Sequence, residues 1–213
     1  MDNKTKRFDK AFLLFLIGQV FMMLGLIDYA SSIKVLSDWL FIFSLLEIVG
    51  VILMIVASTM LYEFNKNYFY FFITSVICLF VNLLATFGEE STEDLTIAVA
   101  RGLGITGDIL LCVSYVYFFL GTRDYFLENE LDKNAKRCKY SCFVVVILTI
   151  VINLMSFIRT VPVVQTNVIA ASIFKYGCVA IKLGLYVYIF VILLLMKKTT
   201  DKKRKETNNN EKE

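Results

Sequence analysis

Five charged residues fall inside apolar stretches, and they are the groups in this chain that could do chemistry. Arg101 and Asp108 are seven residues apart in one stretch. Lys175 and Lys182 repeat that spacing in another, and Glu47 is the only charge of a third. Seven residues are about two helical turns, so each pair shares one helical face at two depths. A charge at the centre of a bilayer costs on the order of 3 kcal/mol, so we expect these groups to face other helices or a wet cavity.

The composition predicts a membrane protein built of helices. Hydrophobic residues make up 58% of the 213 residues, and the mean hydropathy is +0.68. Soluble domains average about 45–50% apolar residues. Each long apolar stretch approaches the ~20 residues that a hydrocarbon core requires. We therefore predict an all-α bundle of six transmembrane helices, at about 11–27, 39–61, 68–87, 95–121, 140–157 and 168–196.

The segments outside these spans are short and polar. Residues 1–10 form a basic N-terminal tail, and the composition of 197–213 predicts a disordered basic tail. Between spans four and five, 122–139 lacks Gly and Pro and places acids ahead of bases, which predicts a charged helical extension of span four. The first apolar stretch could instead belong to a cleaved signal peptide. Because Tyr29-Ala30-Ser31-Ser32 is a poor cleavage site, we expect a retained helix.

The distribution of basic residues predicts the orientation. Seventeen of the 22 Lys and Arg residues fall in the two tails and the loops after spans two and four. The opposite loops hold only Lys34 and Arg159. Cytoplasmic segments carry an excess of Lys and Arg. Both termini are therefore predicted to lie in the cytoplasm, and the protein is predicted to lie in the plasma membrane.

The depths of the buried charges predict how they pair. Glu47, Arg101 and Lys175 each lie seven or eight residues below the outer entry of spans two, four and six. We expect these three to form an outer layer. Asp108 and Lys182 lie roughly 10 Å deeper and should pair near the middle of the membrane. The even-numbered helices would then meet around an ionic centre, with the odd helices wrapped around them.

The outer layer would contain two cations and one anion, so it should contain water or an anionic group. A carboxylate, a phosphate or a zwitterion would suit it. Arg101 and Lys175 would bind the anionic group, Glu47 an amine, and Tyr115 would supply an aromatic wall. In a transporter, Asp108 and Lys182 would be a coupling pair at the midplane. Alternatively, the charges only fix helix register.

Small residues predict where helices approach one another or leave space. Ala170, Gly177 and Gly184 repeat at seven residues on a second face of span six, where a neighbouring helix could pack closely. Gly102, Gly104 and Gly107 surround the charges of span four and could open space for a ligand.

Enzymatic chemistry is disfavoured by what the sequence lacks. It has no histidine, no Ser or Cys paired with a general base that could activate it as a nucleophile, and no spacing typical of metal ligands. We expect no catalytic residue, metal, cofactor or nucleic-acid partner. The five cysteines should be free thiols, although Cys138 and Cys142, one helical turn apart, could alternatively be a lipidation or metal pair.

Three segments carry a resemblance to a known group of proteins. They are SVICLFVNLLATFGEE, GITGDILLCVSYVYFFLGTRDYF and VINLMSFI, the third of which precedes the last span. Together they resemble the multi-pass sensor regions of bacterial signalling proteins that carry a kinase or cyclase output domain. The resemblance implies an extracytoplasmic sensing module. This chain departs from that pattern because only a basic tail follows Met196.

The function predicted from these features is sensing or ligand binding at an outward-facing polar site. The alternatives are a small-solute or ion transporter working as an oligomer, for example a homodimer, and a scaffold or partner subunit for other membrane proteins.

Overall fold

The described part of the chain is entirely helical. The computed structural model describes residues 3–30, 37–89, 94–159 and 161–210, and no strand occurs in these ranges. In chain order the helices are α1 (Asn3–Ala30), α2 (Ser37–Leu61), α3 (Lys66–Glu89), α4 (Asp94–Glu128), α5 (Asp132–Arg159), the short α6 (Pro162–Thr166) and α7 (Val168–Asn210). The predicted all-α class is confirmed.

Among the described residues, five helices are long and apolar enough to cross a membrane. Their apolar segments are Thr5–Leu26, Lys66–Ala85, Gly102–Glu128, Asp132–Arg159 and Val168–Lys203. In α2 the described apolar segment, Leu46–Leu61, is shorter. The side chains of 27–45, which include the first part of α2, lie outside the described residues.

The six long helices form a closed ring in chain order. The Cα atoms of α1 approach those of α2, and the same holds for α2 and α3, α3 and α4, α4 and α5, and α5 and α7; α7 then returns to α1. Short connections place consecutive antiparallel helices next to each other in space. In the described residues, α2, α4 and α7 do not approach one another within 8 Å at their Cα atoms. They can meet only through side chains that extend into the ring.

Helix α1 belongs to the core, so the expectation that the odd helices only wrap the even ones is wrong for it. Half of its apolar segment is buried, against 22% for α5. Across the ring the Phe15 ring stacks on Phe118 of α4, with centroids 3.8 Å apart, and Phe8 stacks on Tyr125 at 3.7 Å. Aromatic side chains are long enough to join two helices whose backbones remain apart.

A seam of glycines joins α1 and α2. A Cβ atom added to Gly18 would lie 2.9 Å from the carbonyl oxygen of Gly50, and one added to Gly25 would lie 2.9 Å from Cβ of Glu47. Helices in membranes associate mainly by such close packing, because lipid chains are as apolar as Leu. The seam therefore fixes the position of Glu47 relative to α1.

The other glycines show which faces are filled. Gly107 packs against Asn82 of α3, and Gly177 packs against Met155 of α5. The close approach predicted for the second face of span six is therefore found at Gly177. It does not occur at Gly184. A Cβ atom added to Gly184, Gly102 or Gly104 would have no atom of another part of the described structure within 4 Å.

The connection between α4 and α5 is a turn. Helix α4 continues to Glu128, as expected for the first part of the predicted extension, and then ends. The N–H of Leu131 donates to the carbonyl of Phe126 at 2.8 Å, and that of Glu130 to the carbonyl of Leu127 at 3.1 Å. Glu130 has a φ of 54°. These are the bonds of a Schellman motif, which ends a helix. The later part of 122–139 therefore belongs to α5.

Both described ends of the chain meet at this turn. Phe8 near the start of α1 stacks on Tyr125, and Lys203 Nζ donates to the carbonyl oxygens of Asn129 at 3.1 Å and Glu130 at 2.8 Å. A cation at the end of a helix complements the partial negative charge of its last carbonyls. At the same end of α1, Arg7 Nη1 lies 2.8 Å from Glu63 Oε2.

The tails differ from their predictions. Residues 3–10 are the first turns of α1, and α7 continues as a helix to Asn210, where the composition predicts disorder from 197. Side chains of α5 explain the first turns beyond Met196: Asn134 donates to the Met196 carbonyl at 3.0 Å, and Arg137 donates to Thr199 Oγ1 at 2.9 Å. Tertiary contacts overcome the weak local preference of a polar segment.

Hydrogen bonds also fix the α2–α3 connection. Hydrogen bonds from Arg7 and Tyr62 lower the pKa of the Glu63 carboxyl. The Asn65 side chain donates to the carbonyl of Gly121 at 3.2 Å, and Asn67 donates to Asp124 at 3.0 Å. The ionised Glu63 thus ties α1 to α2 at neutral pH, outside the apolar segments.

The glycine seam can be tested with a matched pair of substitutions. Gly50→Ala places a Cβ atom 2.5 Å from Met22 Cγ and 2.8 Å from the Gly18 carbonyl oxygen. We expect a loss of about 1–3 kcal/mol in the free energy of unfolding, as for other overpacked sites. Gly184→Ala gains the same helix propensity but meets no atom, so it should unfold at the same temperature or higher. Thermal unfolding of the purified variants, followed with a thiol-reactive dye, checks this. Equal melting temperatures would contradict the seam.

Candidate functional site

The centre of the site is an ion pair between α4 and α7. Lys182 Nζ lies 2.8 Å from Asp108 Oδ1, and the two side chains are 27% and 21% exposed. Depth along the two helices predicted this pair, and the structure confirms it. A charge-assisted bond of this length is among the stronger hydrogen bonds in proteins. It crosses between two helices whose backbones do not touch, so the pair lies inside the ring.

A small pocket lies beside the ion pair, between α4, α5 and α7. Its volume for water-sized molecules is about 20 Å³, and one water needs at least about 10–15 Å³ on the same measure. The pocket therefore has room for roughly one water and not for a larger solute in this conformation. It is lined by Asp108, Leu111, Cys112, Tyr115, Thr149, Ile152, Lys182, Leu185 and Tyr186.

Tyr115 lines this pocket beside the deeper pair, whereas the sequence predicted it as an aromatic wall of the outer layer, and it also joins the pocket to α1. Its hydroxyl donates to Gln19 Oε1 at 2.8 Å and lies 3.5 Å from the sulfur of Met22. Gln19 in turn donates to the sulfur of Met54 at 3.7 Å. Gln19 and Tyr115 are both almost completely buried. The polar interior thus extends from the ion pair through α4 to α1 and α2.

The electrostatic interactions of Glu47 extend to the deeper pair, whereas the sequence predicted it as part of the outer layer. It lies within Coulombic range of both Lys182 and Asp108. Glu47 does not line the pocket, and its backbone rests on Gly25 of α1. The absence of a side chain at Gly25 lets α2 pack closely against α1 at Glu47.

The rest of the predicted outer layer is not assembled in the described residues. Lys175 Nζ lies 5.9 Å from the centre of the Tyr176 ring, its neighbour on α7. The backbone of Arg101 belongs to α4, but its side chain lies outside the described residues. The grouping of Glu47, Arg101 and Lys175 into one binding layer therefore stays a prediction.

Tyr186 and Thr149 are pocket residues that the sequence reasoning missed. Tyr186 is 3% exposed and lies within Coulombic range of Asp108 and Glu47. It follows Lys182 by four residues and so shares its helical face. Thr149 lines the pocket together with Cys112. The spacing of four residues from Lys182 could have indicated Tyr186 as a pocket residue. Thr149 is one of several small polar residues of its helix, and nothing in the sequence sets it apart from them.

The donor set favours recognition of charge over coordination of a metal. All five cysteines are free thiols. In the described ranges, no three Cys, Asp or Glu side chains come together as metal ligands do. The charged and aromatic groups that do converge at the pocket are one carboxylate, one ammonium and two phenol rings.

Comparison with known proteins adds no identification. No family model matches the sequence, and no curated protein and no solved structure shows significant similarity to it. The resemblance to bacterial sensor regions thus stays a prediction.

The ion pair can be tested by exchanging its charges. Asp108→Lys leaves two cations face to face, and Lys182→Asp leaves two carboxylates face to face, so each change alone should cost at least about 3 kcal/mol. The double variant restores an opposite pair and should recover most of the yield and melting temperature. Reversals of the exposed Arg7–Glu63 pair are the control and should stay within about 1 kcal/mol. Failure of the double variant to recover would contradict the pairing.

Proposed function

We propose that this protein is a six-span membrane protein that binds a small zwitterionic solute in its polar interior, as a sensing or binding module. Helix α2, with 25 residues, is long enough to be the sixth span. The contacts of α1 with the core support its retention as the first span. The observation that carries the proposal is the Asp108–Lys182 pair at the wall of a water-sized pocket.

The charges support a zwitterion over a simple anion. In the described interior Asp108 pairs with one ammonium, Lys182, and both interact electrostatically with a second carboxyl group, Glu47. A simple anion would bring a further negative charge among these groups. A zwitterion can direct its amine to a carboxylate and its own carboxylate to Lys182, while the rings of Tyr115 and Tyr186 pack on its apolar part. Because the pocket has room for about one water, binding requires α4, α5 and α7 to separate. That separation is the change a sensor would transmit.

The predicted orientation belongs to this proposal. We place the protein in the plasma membrane with both termini in the cytoplasm. The end of the helix bundle that contains the start of α1 and Lys203 of α7 is the basic end, and cytoplasmic segments carry an excess of Lys and Arg. A fluorescent protein fused after Glu213 should fold and fluoresce inside the cell, and alkaline phosphatase at the same position should be inactive. Fusions at Lys34 should behave in the opposite way. Active phosphatase at the C-terminus would contradict the orientation.

Solute binding is tested by thermal stability in lipid nanodiscs. The twenty amino acids serve as zwitterionic probes, with acetate and phosphate as anions. A ligand at a hundredfold excess over its Kd adds about 2.7 kcal/mol to the folded state. We expect at least one amino acid to raise the melting temperature of the wild type, and the anions to have no effect.

The charge-exchanged variant is the control for a purely structural pair. Asp108→Lys with Lys182→Asp keeps the ion pair but reverses its polarity. It should fold and yet lose the response to the amino acid. An equal response in the exchanged variant, or no response of the wild type to any zwitterion, would contradict the proposal.

Transport is the second candidate function, favoured by the position of the pocket. Asp108 lies well inside the apolar segment Gly102–Glu128, and Lys182 inside Val168–Lys203. Transporters bind their substrates near the midplane, between helices that separate. Uptake of the stabilising amino acid into proteoliposomes, lost in the exchanged variant, would favour transport over sensing. A scaffold that only binds other membrane proteins would show neither response.

A further inference from the structure

Helices α5 and α7 pack side by side at the end of the bundle where α5 begins. Asn134 of α5 donates to the Met196 carbonyl at 3.0 Å and to Thr200 Oγ1 at 3.2 Å. Lys203 Nζ, further along α7, donates to the carbonyl of Glu130 at 2.8 Å. These hydrogen bonds fix the register of the two helices, so the first turns of α5 lie beside residues 195–203 of α7.

Arg137 is held in the groove between these two helices. Its Nη1 atom donates to the Leu195 carbonyl at 3.1 Å, to Thr199 Oγ1 at 2.9 Å and to Asn134 Oδ1 at 3.1 Å. In the described part of the chain, its Nε and Nη2 atoms have no hydrogen-bond acceptor. These two nitrogens form one edge of the planar guanidinium, and such an edge can bind two oxygens of a phosphate. Because the side chain is partly exposed, an anion from outside can reach it.

Three exposed lysines, Lys133, Lys198 and Lys202, flank Arg137. Lys133 precedes Arg137 by four residues and therefore shares its side of α5. On α7, Lys198 and Lys202 are also four residues apart, and Lys202 follows Thr199, the contact of Arg137, by three residues. Residues at these spacings lie on one side of a helix. We call these four cations the α5–α7 basic groove.

The charge of the basic groove is mostly unmatched within the chain. Across the described residues, Lys133, Arg137 and Lys198 form no ion pair with a carboxylate. Glu130, the acid of the adjoining α4–α5 turn, has its carboxylate 3.7 Å from Lys203 instead. Cations held close together repel one another, so an anion that binds between them is favoured.

Exposed apolar side chains continue the groove along both helices. Tyr140, which is 66% exposed, follows Arg137 by three residues, and Leu195, which is 41% exposed, carries a carbonyl that Arg137 contacts. Val191, one turn before Leu195 on α7, is 44% exposed. Cations next to an exposed apolar strip match the two parts of an anionic phospholipid, its phosphate and its acyl chains. A soluble anion would use the cations alone.

We propose that the α5–α7 basic groove binds one anionic phospholipid. Its phosphate accepts hydrogen bonds from Nε and Nη2 of Arg137, the lysines surround the phosphate, and an acyl chain lies along Tyr140, Leu195 and Val191. The orientation proposed above places this end of the bundle at the cytoplasmic leaflet, which carries anionic lipids. The groove is separate from the Asp108–Lys182 pocket, so the lipid site stands or falls independently of solute binding.

Lipid binding is tested by native mass spectrometry of the full chain in a neutral detergent. The protein is titrated with phosphatidylglycerol or with phosphatidylcholine of the same acyl chains, and the lipids bound to each molecule are counted. We expect one phosphatidylglycerol to bind at least about tenfold more tightly than phosphatidylcholine, since each cation near a phosphate contributes to the preference. Glycerol 3-phosphate, which has the phosphate but no acyl chain, should not displace the lipid at equal concentration.

A matched pair of double variants assigns the binding to the groove. Lys133→Gln with Lys198→Gln removes two of its cations and should weaken phosphatidylglycerol binding by roughly 30-fold. The control, Lys139→Gln with Lys197→Gln, removes one exposed lysine from each of the same helices. Lys139 is two residues from Arg137 and Lys197 two residues from Thr199, so each points about 200° away from the groove. The control should bind the lipid as the wild type does.

All four substituted lysines are exposed, so both double variants should melt at the wild-type temperature without added lipid. If the first double variant does not fold, Lys133→Gln and Lys198→Gln tested singly should each weaken binding by about fivefold. Equal binding of the two lipids, or an equal loss in both double variants, would overturn the proposal. Displacement of the lipid by glycerol 3-phosphate would also overturn it and would identify a site for a soluble phosphate.

Discussion

The structure depends on keeping the charges of α4 and α7 out of lipid. Asp108 and Lys182 each stand inside a segment long enough to cross a hydrocarbon core, and neither can face acyl chains at low cost. Pairing them at 2.8 Å removes most of that cost. The helices are not neighbours in the ring, so the long Lys182 side chain has to bridge the interior. Two helices held apart by a bridge cannot pack into a dry interface, which explains why the pocket lies beside this pair.

The packing around the ring is uneven. On one side, Gly18, Gly25 and Gly50 bring α1 and α2 into backbone contact, and Gly107 and Gly121 bring α4 against Asn82 and Tyr68 of α3. On the other side, α5 is the least buried of the spanning helices, and Gly184 of α7 meets no described atom. The tight pairs α1–α2 and α3–α4 form a framework, and α5 and α7 complete the ring around the pocket. A movement that opens the pocket would have to separate α5 from α7, whose contacts include Gly177 on Met155 and the hydrogen bonds of Asn134 and Arg137 to α7.

Much of this arrangement could be predicted from the sequence, because membrane insertion penalises charge so strongly. Helix class followed from the length of the apolar stretches, and the Asp108–Lys182 pair followed from their equal depth. The role of α1 could not be predicted in the same way: Phe8, Phe15 and Gln19 look like ordinary members of an apolar helix. Only the tertiary structure shows that their rings and amide cross the bundle. The turn at Glu130 was also hidden, since a Schellman motif usually has Gly at that position and here Glu adopts the positive φ.

Glu47 decides between a structural and a functional interpretation of the interior charges. A pair that only fixes helix register needs two opposite charges, and Asp108 and Lys182 already supply them. A third charge of either sign adds desolvation cost without improving register. Glu47 lies on α2 where Gly25 lets α1 pack closely, and its carboxyl group interacts electrostatically with both members of the pair. A third ionisable group among these charges has no part in fixing helix register, which supports the proposal of a binding site in the interior. The proposed site is therefore centred on Asp108 and Lys182, below the outer layer that sequence depth suggested for Glu47.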